Sequence, residues 1–80
     1  MPLPIGIVAC SAEGAALCYR TLCIEGEQYL GRYGHPQVCM HSFSFQEYME
    51  CIEKENWNGV ARLMIESACK VAQIGARFAI

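Results

Sequence analysis

The chain has no hydrophobic run approaching the ~18 residues that a membrane-spanning helix requires. Its N-terminus carries no basic region, and its first apolar run breaks at Ser11, which argues against a secretory signal peptide. Together these absences predict a cytoplasmic protein. Charge is sparse: only 18% of residues are charged, and the formal net charge is −2. That balance argues against nucleic acid and anionic membrane as partners. There are six cysteines, at 10, 18, 23, 39, 51 and 69, and no two have Cys-x-x-Cys spacing. A zinc knuckle and a thioredoxin motif are therefore not indicated. Cys39 and His41 stand two apart, but two ligands without a third make no metal centre, so no metal is expected. There is no glycine-rich phosphate loop, internal repeat, low-complexity segment or linker.

What is present is apolar. Hydrophobic residues make up 54% of 80 positions. A chain of this length forms at most one small domain, marginal without help. Such a composition predicts an interface or a share in a larger core. Most cysteines fall at apolar positions of the pattern and read as reduced, buried thiols.

The organising stretch is Ile5 to Ala9, short, apolar and partly β-branched, as in a strand buried on both faces. Small residues follow at once. Ser11 then reads as the N-cap of a helix from Glu13 or Gly14 to Leu30, whose apolar face is Ala15, Cys18, Tyr19, Leu22, Gly26, Tyr29 and Leu30. Gln37 to Met40 reads as a second strand, with His41-Ser42-Phe43 at its carboxyl end. Ser44-Phe45-Gln46-Glu47 fits a capping box, and Phe43 with Tyr48 fits a hydrophobic staple, together starting a short helix to about Ile52. Asn56 caps a third helix from Trp57 to about Ile74, with the stripe Trp57, Val60, Ala61, Met64, Ala68, Val71 and Ala72 as core or interface. Gly75 suits the C′ position, and Arg77 to Ile80 begins a third strand. The order β-α-β-α-α-β predicts a three-layer α/β fold, a parallel sheet of order 2-1-3 flanked by helices.

In open α/β sheets ligands bind outside the carboxyl ends of the strands. Two segments meet there: Cys10-Ser11-Ala12-Glu13 and His41-Ser42-Phe43. The first offers N–H groups at a helix start, which favour a carboxylate. The candidate ligand-binding residues are Cys10, Ser11, Glu13, His41, Ser42 and Phe43. Each has an ordinary structural role beside the functional one: Cys10 fills a turn, Ser11 caps, Glu13 is a first-turn acid, and His41 is a structural histidine near the rim.

Across essentially its whole length the sequence resembles the N-terminal part of the aspartate/glutamate racemase family, closest to its broad-specificity amino-acid racemases. The resemblance rests on Ile5-Gly6-Ile7-Val8-Ala9-Cys10-Ser11-Ala12-Glu13, Tyr19-Arg20 with Glu25-Gly26, Gln37 to Phe45, Glu50-Cys51, Trp57 and Gly75-Ala76-Arg77-Phe78. It implies racemisation without pyridoxal phosphate or another cofactor, by two cysteines on opposite faces of the substrate α-carbon. It also implies that both cysteines lie beyond Ile80. Residues 1–80 would then be an incomplete racemase-like domain that supplies part of the substrate rim, is inactive alone, and associates with itself or with the remainder of the racemase. The substrate would be a small amino acid or dicarboxylate. Ala9-Cys10 replaces a common Gly-Gly, and Ile52 replaces a frequently polar position, so substrate contacts differ there. The alternative is a small non-catalytic α/β binding or dimerisation module.

Overall fold

The structure is a computed structural model and describes residues 3–80. Its elements run β1 (Ile5–Ala9), α1 (Ala12–Leu30), β2 (Val38–Ser42), α2 (Phe45–Glu53), α3 (Trp57–Gln73) and β3 (Phe78–Ala79). The three strands form one parallel sheet in the order β2-β1-β3. β1 is central because its apolar residues leave neither face to solvent.

Alternation along β1 divides the molecule into three layers. Ile7 and Ala9 are buried and cluster with Ala15 of α1, joined by Cys18, Leu22 and Val38. The intervening Gly6 points the other way. A Cβ there would lie 2.7 Å from Val71 Cγ2 of α3 and 2.9 Å from Ala76 Cβ. Glycine is required because α3 seats directly on the strand backbone. α1 therefore covers one face of the sheet and α3 the other, with α2 packed on α3.

The helix starts follow the sequence. Ser11 Oγ accepts from Gly14 N–H at 3.3 Å, and Asn56 Oδ1 accepts from Gly59 N–H at 3.0 Å. Ser44 caps α2, but its hydroxyl accepts from Gln46 N–H at 3.3 Å, and no bond returns from the Glu47 side chain to the Ser44 N–H. The capping box is thus half made. Phe43 sets its ring edge-on to His41, with centroids 4.7 Å apart. Gly75 takes the positive φ of 113° that ends α3.

Three expectations shift. β2 begins one residue later than Gln37 and extends to Ser42, so His41 and Ser42 belong to the strand. The buried stripe of α3 is Gly59, Ser67 and Val71, with Leu63 half-buried, whereas Trp57 and Met64 are exposed. The stripe rotates because Ser67 is small enough to seat against His41 of the sheet, while Gly59 leaves room for Cys51 of α2, 2.8 Å from where a Cβ would stand. On α1, Tyr19, Tyr29 and Leu30 are exposed for a different reason: α1 lies over β1 and leaves the β3 side of that face uncovered.

Candidate functional site

The parallel register pairs Ala9 with Ser42 and Val8 with His41, so the carboxyl ends of β1 and β2 lie side by side. The two segments expected to meet, Cys10 to Glu13 and His41 to Phe43, are brought to one end of the sheet. At this end a cleft of 220 Å³ opens between the tip of β1, the first turn of α1 and Ile80, lined by Cys10, Ser11, Gly14, Ala15 and Cys18 among others. Ser11 Oγ and its carbonyl take the N–H groups of Gly14 and Ala15. The N–H groups of Ala12 and Glu13 have no partner among the described residues. They are the donors of this turn free to meet an anion, assisted by the positive end of the α1 dipole.

The structure separates the six candidates into two groups. Cys10 and Ser11 line the cleft, while Glu13 is exposed beside it. His41, Ser42 and Phe43 stand across β1 on the β2 side and do not line it. Ser42 turns its hydroxyl onto the Phe43 carbonyl at 2.8 Å. His41 faces α3, where its Nδ1 lies 2.7 Å from Ser67 Oγ. Cys39, on the same strand face, aims its thiol at the Ile5 and Val71 carbonyls at 3.8 and 3.7 Å, so it is engaged in packing. All six cysteines are free thiols.

Two residues of this region escaped the sequence reading. Ser67 is fully buried. Its signal was its place four residues from both Leu63 and Val71 on the face that meets the sheet. Tyr48, expected as half of a staple, is 2% exposed, and its hydroxyl has no hydrogen-bond partner. Burial pushes the Tyr48 phenol pKa above its ordinary value, and neighbouring Cys10 and then Glu47 push it further. An orphaned phenol beside the cleft cysteine is a polar feature that no packing rule supplies.

A larger cleft of 380 Å³ lies at the opposite end of the strands, between the second half of α1 and β3. Leu3, Leu22, Tyr29, Leu30, Pro36 and Phe78 line it, with Glu25 its one carboxylate. It holds no set of convergent donors and reads as apolar surface left open where α1 does not reach β3.

No protein-family model matches this chain, and a search of curated proteins finds no match to it. Among the described residues no helix is long and apolar enough to cross a membrane, and no cluster of three or more His, Cys, Asp or Glu side chains is placed to hold a metal ion.

Proposed function

We propose that this chain forms the carboxylate-binding side of a cytoplasmic amino-acid racemase that works without pyridoxal phosphate. The observation that carries the reading is the pairing of Ala9 with Ser42, which sets the Cys10–Glu13 turn beside the β2 tip. The unpartnered Ala12 and Glu13 N–H groups suit a carboxylate, and donors to that group stabilise the charge that develops as the α-proton leaves. In the reaction one thiolate removes the α-proton and a second thiol returns a proton to the opposite face. None of this chain's cysteines matches either position in the resemblance, so its share is binding. Six free thiols fit a reducing compartment.

Two measurements test this. Optical activity of L- and D-aspartate or glutamate, followed over time with the purified 80-residue chain, is expected to stay constant. Steady loss abolished by Cys10→Ser would make Cys10 a catalytic base and overturn the division of labour. Amide shifts on titration with aspartate or glutamate are expected at Cys10 to Glu13 and His41 to Phe43. Shifts at the amides beside Pro4 and Pro36 instead, those of Leu3, Ile5 and Gln37, would place the ligand at the wrong end of the strands.

A second reading, a non-catalytic association module, draws on one observation. Tyr29, Ile74, Ile65, Leu17 and Trp57 are each more than 60% exposed, large apolar side chains on both outer helices that self-association would cover. Sedimentation is expected to show concentration-dependent association. A compact monomer at all concentrations would count against this reading.

A further inference from the structure

The contact between His41 and Ser67 fixes more than the position of a ring. Ser67 is 0% exposed, so its hydroxyl has no water to turn to. Its Oγ makes two contacts, both to His41: 3.2 Å to the backbone carbonyl and 2.7 Å to Nδ1. A hydroxyl carries one proton. Given to the carbonyl, it leaves Oγ a pure acceptor toward the ring, and Nδ1 must then be the donor. The reverse assignment sets Oγ against the carbonyl oxygen with no proton between them. Both contacts are satisfied together only with the proton on Nδ1. In the neutral ring that makes Nε2 the acceptor.

Nε2 itself makes no hydrogen bond among the described residues. It is also not a buried orphan, since Tyr48 Oη is the only such side-chain atom found among them. Nε2 therefore reaches solvent. The ring is held twice, by Ser67 through Nδ1 and by the edge-on Phe43 at 84°. A solvent-facing acceptor on a doubly anchored ring, one residue before the end of β2, is a directed group.

We propose that Ser67 is a positioning residue: it keeps the His41 proton on Nδ1, so that Nε2 stands at the β2 tip as the acceptor for the ammonium group of an amino-acid ligand. The ligand half of this inference rests on the function proposed above. The ligand class is then a zwitterionic amino acid. A dicarboxylate without an amine would miss this contact.

Nitrogen-15 spectra of the His41 ring, recorded at roughly pH 8.5 where an ordinary imidazole is neutral, test the pairing directly. The wild type is expected to carry its proton on Nδ1, and Ser67→Ala is expected to move it toward Nε2, which the free side chain favours. A wild-type ring protonated on Nε2 overturns the proposal without recourse to any variant, as does an unchanged tautomer in Ser67→Ala. The ligand half is tested with aspartate and succinate, which differ by the amine. Ser67→Ala is expected to weaken aspartate binding about tenfold and to leave succinate binding within twofold. Equal weakening of both overturns the ammonium assignment. If neither binds the wild type, the rim reading falls and the ammonium assignment with it, while the ring spectrum still decides the Ser67 pairing.

Discussion

The two faces of the sheet are built in opposite ways. The α1 face is apolar and non-directional: Ile7, Ala9 and Ala15 are buried together, with Cys18, Leu22 and Val38 leaning on them. Nothing in those contacts fixes a rotation of the helix, and α1 leaves the cleft of Tyr29, Leu30 and Phe78 open beside β3. The α3 face is close and directional. Val71 fills the space above Gly6, and Ser67 hydrogen-bonds to His41. Apolar burial drives both faces together, but only the α3 face has geometry that a shift of one residue would destroy. The face with the smaller residues therefore sets the register, and it also holds the rim histidine.

The sharpest way to break that contrast is to give β1 a side chain where α3 sits. Gly6→Ala places a methyl 2.7 Å from Val71 Cγ2 and 2.9 Å from Ala76 Cβ, and neither neighbour has a flexible end to move. We expect a loss of about 2–3 kcal/mol, a large part of the stability of a domain this small, read as a lower urea midpoint. A midpoint unchanged within error would mean that α3 does not rest on β1. On the other face Ile7→Val removes one buried methylene, with an expected cost of about 1 kcal/mol, because the looser α1 layer can settle into the gap. If Ile7→Val costs more than Gly6→Ala, the assignment of the tight and loose faces is reversed.

The same contrast explains what was legible in the sequence. Strand β1, the caps Ser11, Ser44 and Asn56, the positive-φ glycine turn at Gly75 and the order 2-1-3 follow from local residue chemistry and from the order of elements. The rotation of α3 was not legible. Its expected stripe ran through Trp57, Met64 and Val71, of which Val71 is buried; that the inward line continues from Val71 to Ser67 and not to Met64 depends on the missing Cβ of Gly6, distant in sequence. The site divides likewise. The meeting of residues 10–13 with 41–43 follows from strand direction. That His41 turns toward Ser67, and that the carboxyl-end cleft lies on the β3 side of Cys10, depend on side-chain packing that periodicity does not encode.

The smallest expected effect at neutral pH concerns Tyr48, on α2 against the α3 side. Its ring is buried and its hydroxyl is unpartnered, so the ring stabilises the fold while the hydroxyl is desolvated without return. Tyr48→Phe keeps the ring and removes the orphan. We expect a stability gain of under about 1 kcal/mol at pH 7, from urea midpoints. The alkaline limb sharpens the test. Burial, then Cys10, then Glu47 raise the phenol pKa above the unfolded value of 10.0, so the folded chain holds this proton more tightly than the unfolded one. That contribution is fully present below pH 10 and is lost as pH rises through the folded pKa, because the unfolded state ionises first. Wild-type stability should therefore fall faster than that of Tyr48→Phe above pH 10, and their difference should widen with pH. Parallel alkaline limbs would show that Tyr48 does not titrate differently on folding. A loss of more than 1 kcal/mol at pH 7 in Tyr48→Phe would show that its hydroxyl has a partner, with Cys10 the nearest candidate, and that the α3 side is polar and satisfied as far as the cleft.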